Sequence, residues 1–261
     1  MFEPPLDLKG ACIRLVNDGR SRAPGMKALE RIAKSFLKDV WVYAPEEEQG
    51  GAGHSFLLYN NFRVSRISAR RFADGGSPTD CVMMALTEYM SNKRPDLVLS
   101  GVNRGQNSGC KVTHTIAVAV ALEATLLGIP AIAMSQQVLG VKIQFKTAET
   151  LAPSEIKKLP REKLLADVFM NVNFPDVPTQ AVSGVSIVPQ GRRKSGYNLH
   201  ELPDPRRQYQ CYIIGNAIEG QHIGRKDTDY KAIERGEISI TPLHCDLTRN
   251  GALRSLSKSF G

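Results

Sequence analysis

Apolar and polar positions follow two interlocking periods along the first half of the chain. Ala11-Cys12-Ile13-Arg14-Leu15-Val16 is a short apolar run stopped by Asn17-Asp18-Gly19. Met26, Leu29, Ile32, Ala33, Phe36 and Leu37 then recur at the spacing of one helix face. Val40-Trp41-Val42-Tyr43-Ala44 predicts the next strand, ended by Pro45, and its distance from the first suits a parallel crossover through the helix. The unit recurs as a helix from about Thr79 to Met90, a strand from Asp96 to Ser100, a helix through Val118 to Leu127 and a strand from Ala131 to Ser135. This alternation predicts an α/β fold, a Rossmann-like doubly wound, mostly parallel sheet with helices on both faces.

The texture changes after Gln136. A polar stretch runs to about Lys163, and strands are expected near Val168 to Asn173, Gly184 to Val188, Gln210 to Ile214 and Ile238 to Thr241. Turn-rich segments around Arg192-Arg193-Lys194 and Asp204-Pro205-Arg206-Arg207 predict a C-terminal strand and hairpin extension, projecting from the core or forming an edge for self-association. The chain has no repeat, low-complexity tract or clear linker, so residues 1–261 read as a single domain. Within it, 1–136 is the Rossmann-like core carrying the site, and 137–261 holds the remaining core strands and an oligomerisation extension.

Composition narrows the class. With 42% apolar and 23% charged residues, the 261-residue chain can bury a full core, which excludes disorder, collagen and small disulfide scaffolds. Nothing approaches the roughly 18 uncharged apolar residues of a membrane span. The opening Met1-Phe2-Glu3-Pro4-Pro5 lacks the basic and apolar regions of a signal peptide, so a soluble cytoplasmic protein is expected. Cys12, Cys81, Cys110, Cys211 and Cys245 lie far apart with no CxxC pair, the pattern of reduced, mostly structural thiols. A net charge of +8 favours anionic partners such as phosphates, nucleotides or nucleic acid.

In an open parallel sheet, ligands bind beyond the carboxyl ends of the strands. The first strand ends in Asn17-Asp18, the second in Glu46-Glu47-Glu48-Gln49-Gly50-Gly51, and the strand at Leu97 in Gly101-Val102-Asn103-Arg104-Gly105-Gln106-Asn107-Ser108-Gly109. Carboxylate and amide oxygens converging there suit a hard divalent cation, magnesium or manganese. The glycine-rich stretch is neither a Walker loop nor a dinucleotide fingerprint. Feeding a helix, it still offers backbone N–H groups to an anion, with Arg104 and Lys111 nearby. Plainer readings stand beside these: Asp18 as a turn cap, Glu46 to Glu48 as a solvated face, and His54 and His114 as surface or structural histidines. Arg63, Arg66, Arg70 and Arg71 read as a solvated strand or hairpin, with few aromatics for base stacking.

With these loops in view, the chain resembles the SurE (survival protein E) family of 5'-nucleotidases. The resemblance runs through Asn17-Asp18-Gly19-Arg20-Ser21-Arg22-Ala23-Pro24-Gly25, Trp41-Val42-Tyr43-Ala44-Pro45, Gly76-Ser77-Pro78-Thr79-Asp80-Cys81-Val82 and Pro95 to Gly105. It continues through Leu127-Gly128-Ile129-Pro130-Ala131-Ile132-Ala133-Met134-Ser135, Asn171-Val172-Asn173-Phe174-Pro175 and Ile238 to Leu243 with Asp246-Leu247-Thr248. It implies a divalent metal, Mg or Mn, hydrolysis of nucleoside 5'-monophosphates, and a homodimer or homotetramer, with no membrane partner and nucleic acid disfavoured. The family's metal is held by two aspartates, a serine and an asparagine. Asp18 matches the first aspartate and Asn103 the asparagine, while Gly19 and Gly50 stand where the other two belong and weaken the site. Asp18 is also the candidate catalytic residue, positioning or activating water. Asn107, Ser108 and Thr115 are the candidate phosphate-binding residues; Thr115 keeps a hydroxyl where the family has serine, whereas Ile116 and Ala117 replace a glycine and a threonine. Two alternatives remain open here: a nucleotide- or phosphate-binding protein of the same fold without turnover, and an RNA-binding or assembly protein using Arg63 to Arg71 and Arg192 to Lys194.

Overall fold

The computed structural model describes residues 11–16, 23–47, 49–90, 93–141, 144–159, 167–203, 205–206 and 209–260. Strand β1 (Cys12–Val16) leads to helix α1 (Pro24–Lys34) and parallel strand β2 (Asp39–Pro45), as the periodicity predicts. Pro24 opens α1 where a missing N–H costs nothing, and the helix buries Met26, Leu29, Ile32 and Ala33. The arginine-rich segment is the antiparallel hairpin of β3 (Val64–Ser68), mostly exposed, and β4 (Arg71–Asp74).

Helix α2 (Pro78–Met84) starts at a capping box in which Ser77 and Asp80 bond each other's backbone N–H. It ends in a π-type turn, Ala85–Tyr89, where the sequence predicted one helix to Met90. Strand β5 (Leu97–Arg104), helix α3 (Ile116–Leu126) and strand β6 (Ala131–Gln136) complete the predicted series. The polar stretch after β6 contains a helix the sequence reading did not give, α4 (Lys146–Lys158). It is followed by β7 (Val168–Phe174), β8 (Val185–Ile187), the long strands β9 (Arg193–Leu202) and β10 (Cys211–His222), α5 (Asp229–Glu234), β11 (Ile238–His244) and α6 (Asn250–Phe260).

Nine strands form one sheet in the order β3-β4-β2-β1-β5-β6-β7-β11-β8. Strands β4, β2, β1, β5, β6 and β7 are mutually parallel, and β11 joins antiparallel to β7. The chain winds outward from β1 to β4 and then returns to β5 on the other side of β1. The topological switch point therefore lies between the carboxyl ends of β1 and β5. One face buries Met26, Leu29, Leu97, Leu99, Met134, Ala148, Val172 and Phe174 with α1 and α4. The other buries Tyr43, Cys81, Val98, Val120, Ala133 and Phe169 with α2 and α3.

Strands β9 and β10 stand apart as their own two-stranded ribbon, the hairpin extension expected from the sequence. Leu199, Leu202, Tyr212, Ile213 and Ile214 are exposed on it, and α6 exposes Leu253, Leu256 and Phe260. None of the five cysteines is in a disulfide. Among the described residues, no helix is long and apolar enough to cross a membrane.

Candidate active site

The carboxyl end of β5 is shaped by a bulge. Gly101 has φ +118°, open to glycine, and a Cβ there would press on the Met134 carbonyl. The register with β6 shifts between Ser100 and Asn103, so the strand continues past its predicted end at Ser100 and sets Asn103 opposite Ser135. Across the switch point, β1 ends at Val16 opposite Ser100. Asp18 and Gly19, in the loop that follows, lie outside the described residues, as does Glu48.

Asn103 is half-buried, and its Nδ2 donates to Asn107 Oδ1 at 2.9 Å and to the Gly105 carbonyl at 3.4 Å. A carbonyl can only accept, so the nitrogen must face it and the Asn103 oxygen points elsewhere. No donor among the described residues reaches that oxygen, which leaves it available to a ligand.

The loop beyond is held from below. Asn107 and Ser108 are both fully buried. The Asn107 N–H donates to Asn173 Oδ1 at 2.7 Å and Ser135 Oγ at 3.1 Å, and its carbonyl accepts from Asn171 Nδ2 at 2.7 Å. The Tyr230 hydroxyl donates to the Ser108 carbonyl at 2.8 Å, the Gly109 N–H donates to Asp229 at 2.8 Å, and Gln190 Nε2 donates to the Gly109 carbonyl at 2.7 Å. Asn107 Nδ2 and Ser108 Oγ are buried with no protein hydrogen-bond partner among the described residues. The sequence names Asn107 and Ser108 as site residues but gives no role to the side chains that fix them, Asn171, Asn173 and Ser135 among them. One signal was available, because asparagine at alternate positions of a strand (Asn171, Asn173) goes against β propensity and calls for a specific partner.

Thr115 occupies the N-cap position of α3 and donates its hydroxyl to the Lys111 carbonyl at 2.8 Å, so no side chain caps the first N–H groups of that helix. Ile116 and Ala117 are buried, Arg104 and His114 are exposed, and Lys111 is half-buried. His54 is a structural histidine, one of the two roles expected of it, since its Nε2 lies 2.8 Å from Glu123 Oε2 on α3. With Ser77 Oγ donating to the Ser55 carbonyl at 2.6 Å, this pair ties the loop after β2 to both helices of that face. Glu46 accepts from Ser65 Oγ at 2.9 Å on the neighbouring hairpin. Gly50 is exposed, and a Cβ built on it would meet nothing within 4 Å. No three His, Cys, Asp or Glu side chains among the described residues are grouped so as to hold a metal ion.

Comparison with known proteins agrees with this fold. The family model described as Survival protein SurE matches residues 13–197. A 5'-nucleotidase SurE of Paramagnetospirillum magneticum is 44% identical over 260 residues, covering 99% of this chain and 99% of that protein. A 5'-nucleotidase SurE of Rhodospirillum rubrum is 40% identical over 264 residues, covering 100% of both. The crystal structure of the SurE protein from Aquifex aeolicus is similar in fold, with a TM-score of 0.78 and 31% identity over 96% of this chain and 100% of that one.

Proposed function

The chain belongs to the survival protein SurE family, and we propose that it is a divalent-metal-dependent 5'-nucleotidase, hydrolysing nucleoside 5'-monophosphates to nucleoside and phosphate. The observation that carries the reading is the Asn103 amide, half-buried at the switch point with its nitrogen bonded inward and its oxygen open. A hard oxygen donor in that position suits magnesium or manganese. Asp18, two residues beyond β1 in the sequence, would supply the carboxylate and hold the metal together with Asn103. When bound, the cation neutralises charge on the phosphoryl group and lowers the pKa of water.

The chain's own groups do the rest. Asp18 accepts a hydrogen bond from the attacking water and aims it at phosphorus, the positioning role of a general base. The uncapped N–H groups at the start of α3 donate to the phosphate, and the Thr115 hydroxyl adds a donor by rotating away from the Lys111 carbonyl. Asn107 and Ser108 lie beneath, and Arg104 and Lys111 favour the anion over longer range. The vacated ligand positions at Gly19 and Gly50 weaken the cation's hold.

This reading includes a homodimer or homotetramer built through the β9–β10 ribbon and α6, which carry exposed apolar side chains. It also includes a cytoplasmic location, consistent with five cysteines outside any disulfide. Phosphate release from a panel of nucleoside monophosphates with manganese, magnesium or a chelator tests it. Turnover is expected with metal, is abolished by chelator, and falls at least about tenfold in Asn103→Ala. Release indifferent to chelator, or absent with every nucleotide and both metals, overturns it.

A further inference from the structure

One polar side chain from each of five strands falls in a single transverse row. Asn103 of β5, Ser135 of β6, Asn173 of β7, Ser239 of β11 and Ser186 of β8 are successive cross-strand partners. Ser135, Asn173 and Ser239 are fully buried, whereas the alternating residues Met134, Val172 and Ile240 face the apolar cluster on the opposite side. Burying polar groups within an otherwise apolar sheet is unfavourable unless each is bonded. Here the bonds converge on the main chain of one residue of the loop above, Asn107.

Asn171 and Asn173 are two apart in β7 and therefore share its face. They grip the main chain of Asn107 from both sides: Asn173 Oδ1 accepts its N–H, and Asn171 Nδ2 donates to its carbonyl, each at 2.7 Å. Ser135 Oγ also accepts from the Asn107 N–H and donates to Asn173 Oδ1, while Asn173 Nδ2 donates to Ser239 Oγ at 3.3 Å. Main-chain groups can only donate or only accept, so they fix the orientation of both asparagine amides. Asn107 anchored in this way holds Oδ1 against Asn103 Nδ2, and this in turn turns the Asn103 oxygen outward.

We infer that Asn171 and Asn173, aided by Ser135, are positioning residues for Asn103, clamping the Asn107 backbone so that the Asn103 amide presents its oxygen at the switch point. The link to metal rests on the function proposed above; the clamp itself does not. An asparagine χ2 is broad and roughly two-fold, so without this support the Asn103 amide would sample orientations that offer nitrogen in place of oxygen. Groups that orient a ligand from behind commonly change metal affinity about 10–100-fold when removed.

The test compares Asn171→Ala and Asn173→Ala with Val172→Ala, which truncates the residue between them on the opposite face. Hydrogen exchange across residues 105–109 and manganese affinity by calorimetry are read alongside the melting temperature. Both asparagine variants are expected to speed exchange in 105–109 at least about tenfold and to weaken manganese binding about 10–100-fold. Val172→Ala lowers the melting temperature but leaves both readouts unchanged. Should Asn173→Ala not fold, Asn171→Ala decides, since it removes a single hydrogen bond to the loop. Unchanged exchange in the asparagine variants, or an equal response in Val172→Ala, overturns the inference. If exchange responds as expected but the parent protein binds no manganese, the clamp stands and the metal-dependent reading falls.

Discussion

Asp229 joins the C-terminal part of the chain to the loop beyond β5, and its removal has a size that can be worked out. It is fully buried at the start of α5, where its carboxylate accepts from the Gly109 N–H at 2.8 Å, the Gly191 N–H at 2.9 Å and its neighbour Tyr230 N–H at 2.8 Å. A Cβ on Gly109 or Gly191 would collide with the Tyr230 ring, so both backbones approach α5 closely and leave water little room. Asp229→Ala strands two distant N–H groups, each costing about 1–3 kcal/mol when buried unpaired, so a loss of roughly 3–4 kcal/mol is expected. For a domain of this size that is about 6–16 °C in melting temperature. Asp229→Asn keeps one acceptor but sets an amide NH2 against a backbone donor, and is expected to lose at least half as much. Urea unfolding at constant m-value, with thermal melts, measures both. A loss below about 1 kcal/mol in Asp229→Ala, or an Asp229→Asn protein as stable as the parent, refutes the assignment of this carboxylate as the anchor.

Gly50→Ser is expected to change stability by less than about 0.5 kcal/mol, because the added side chain meets nothing within 4 Å, and to tighten manganese binding; unchanged affinity by calorimetry argues against that loop as a ligand source. Burial pushes the Glu30 carboxyl up, but hydrogen bonds from Arg71 and Lys34 outweigh it and hold its pKa below the ordinary value. Its contribution is therefore present above the unfolded pKa and lost as pH falls through the folded one, so Glu30→Gln should cost about 1 kcal/mol at pH 7 and flatten the acid limb of a urea-midpoint profile below about pH 4.5. Burial, reinforced by Asp39, pushes the Cys12 thiol up to about 11, so Ellman's reagent at pH 8 is expected to label exposed Cys110 quickly and Cys12 only after denaturation.

The first half of the fold is legible because strands of a parallel sheet are buried on both faces and read as unbroken apolar runs. Val40 to Ala44 and Ala131 to Ser135 are of this kind. Helix α4 is not legible for a physical reason. Beside Ile156 it faces the core with Thr147, Ala148 and Ala152, small or polar residues that let it pack against α1, and it carries Pro153 in its interior. Helix α6 does space Leu253, Leu256 and Phe260 along one side, but it buries none of its residues against the described chain. Its pattern answers to no core within the sequence read alone. The bulge at Gly101 hides the true end of β5 in the same way, because Gly101 and Val102, two residues set against one of β6, look like the start of a loop.

The candidate ligands and the groups that hold them differ in legibility for opposite reasons. Asn103, near the end of β5, reads in the sequence as part of a polar stretch at a strand's carboxyl end, where a parallel sheet places its ligands, so its position alone attracts attention. Asn171, Asn173 and Ser239 lie inside strands, where each reads as a local weakness, an unfavoured residue in an apolar run. The structure reverses that interpretation, since each is fully buried and bonded, and two of the three reach the same loop residue. Because a buried polar group in a strand survives only with a partner, its presence in sequence already requires one. The candidates are few: a neighbouring strand's side chain, or a backbone the sheet does not itself satisfy. Asn107 is such a backbone, bent out of β5's ladder after Arg104 yet buried, so its N–H and carbonyl need side-chain partners from the adjacent strands. That requirement couples residues 103–109 to β7 and β11, and it makes the later strands as necessary to the site's geometry as the loop that carries the ligand.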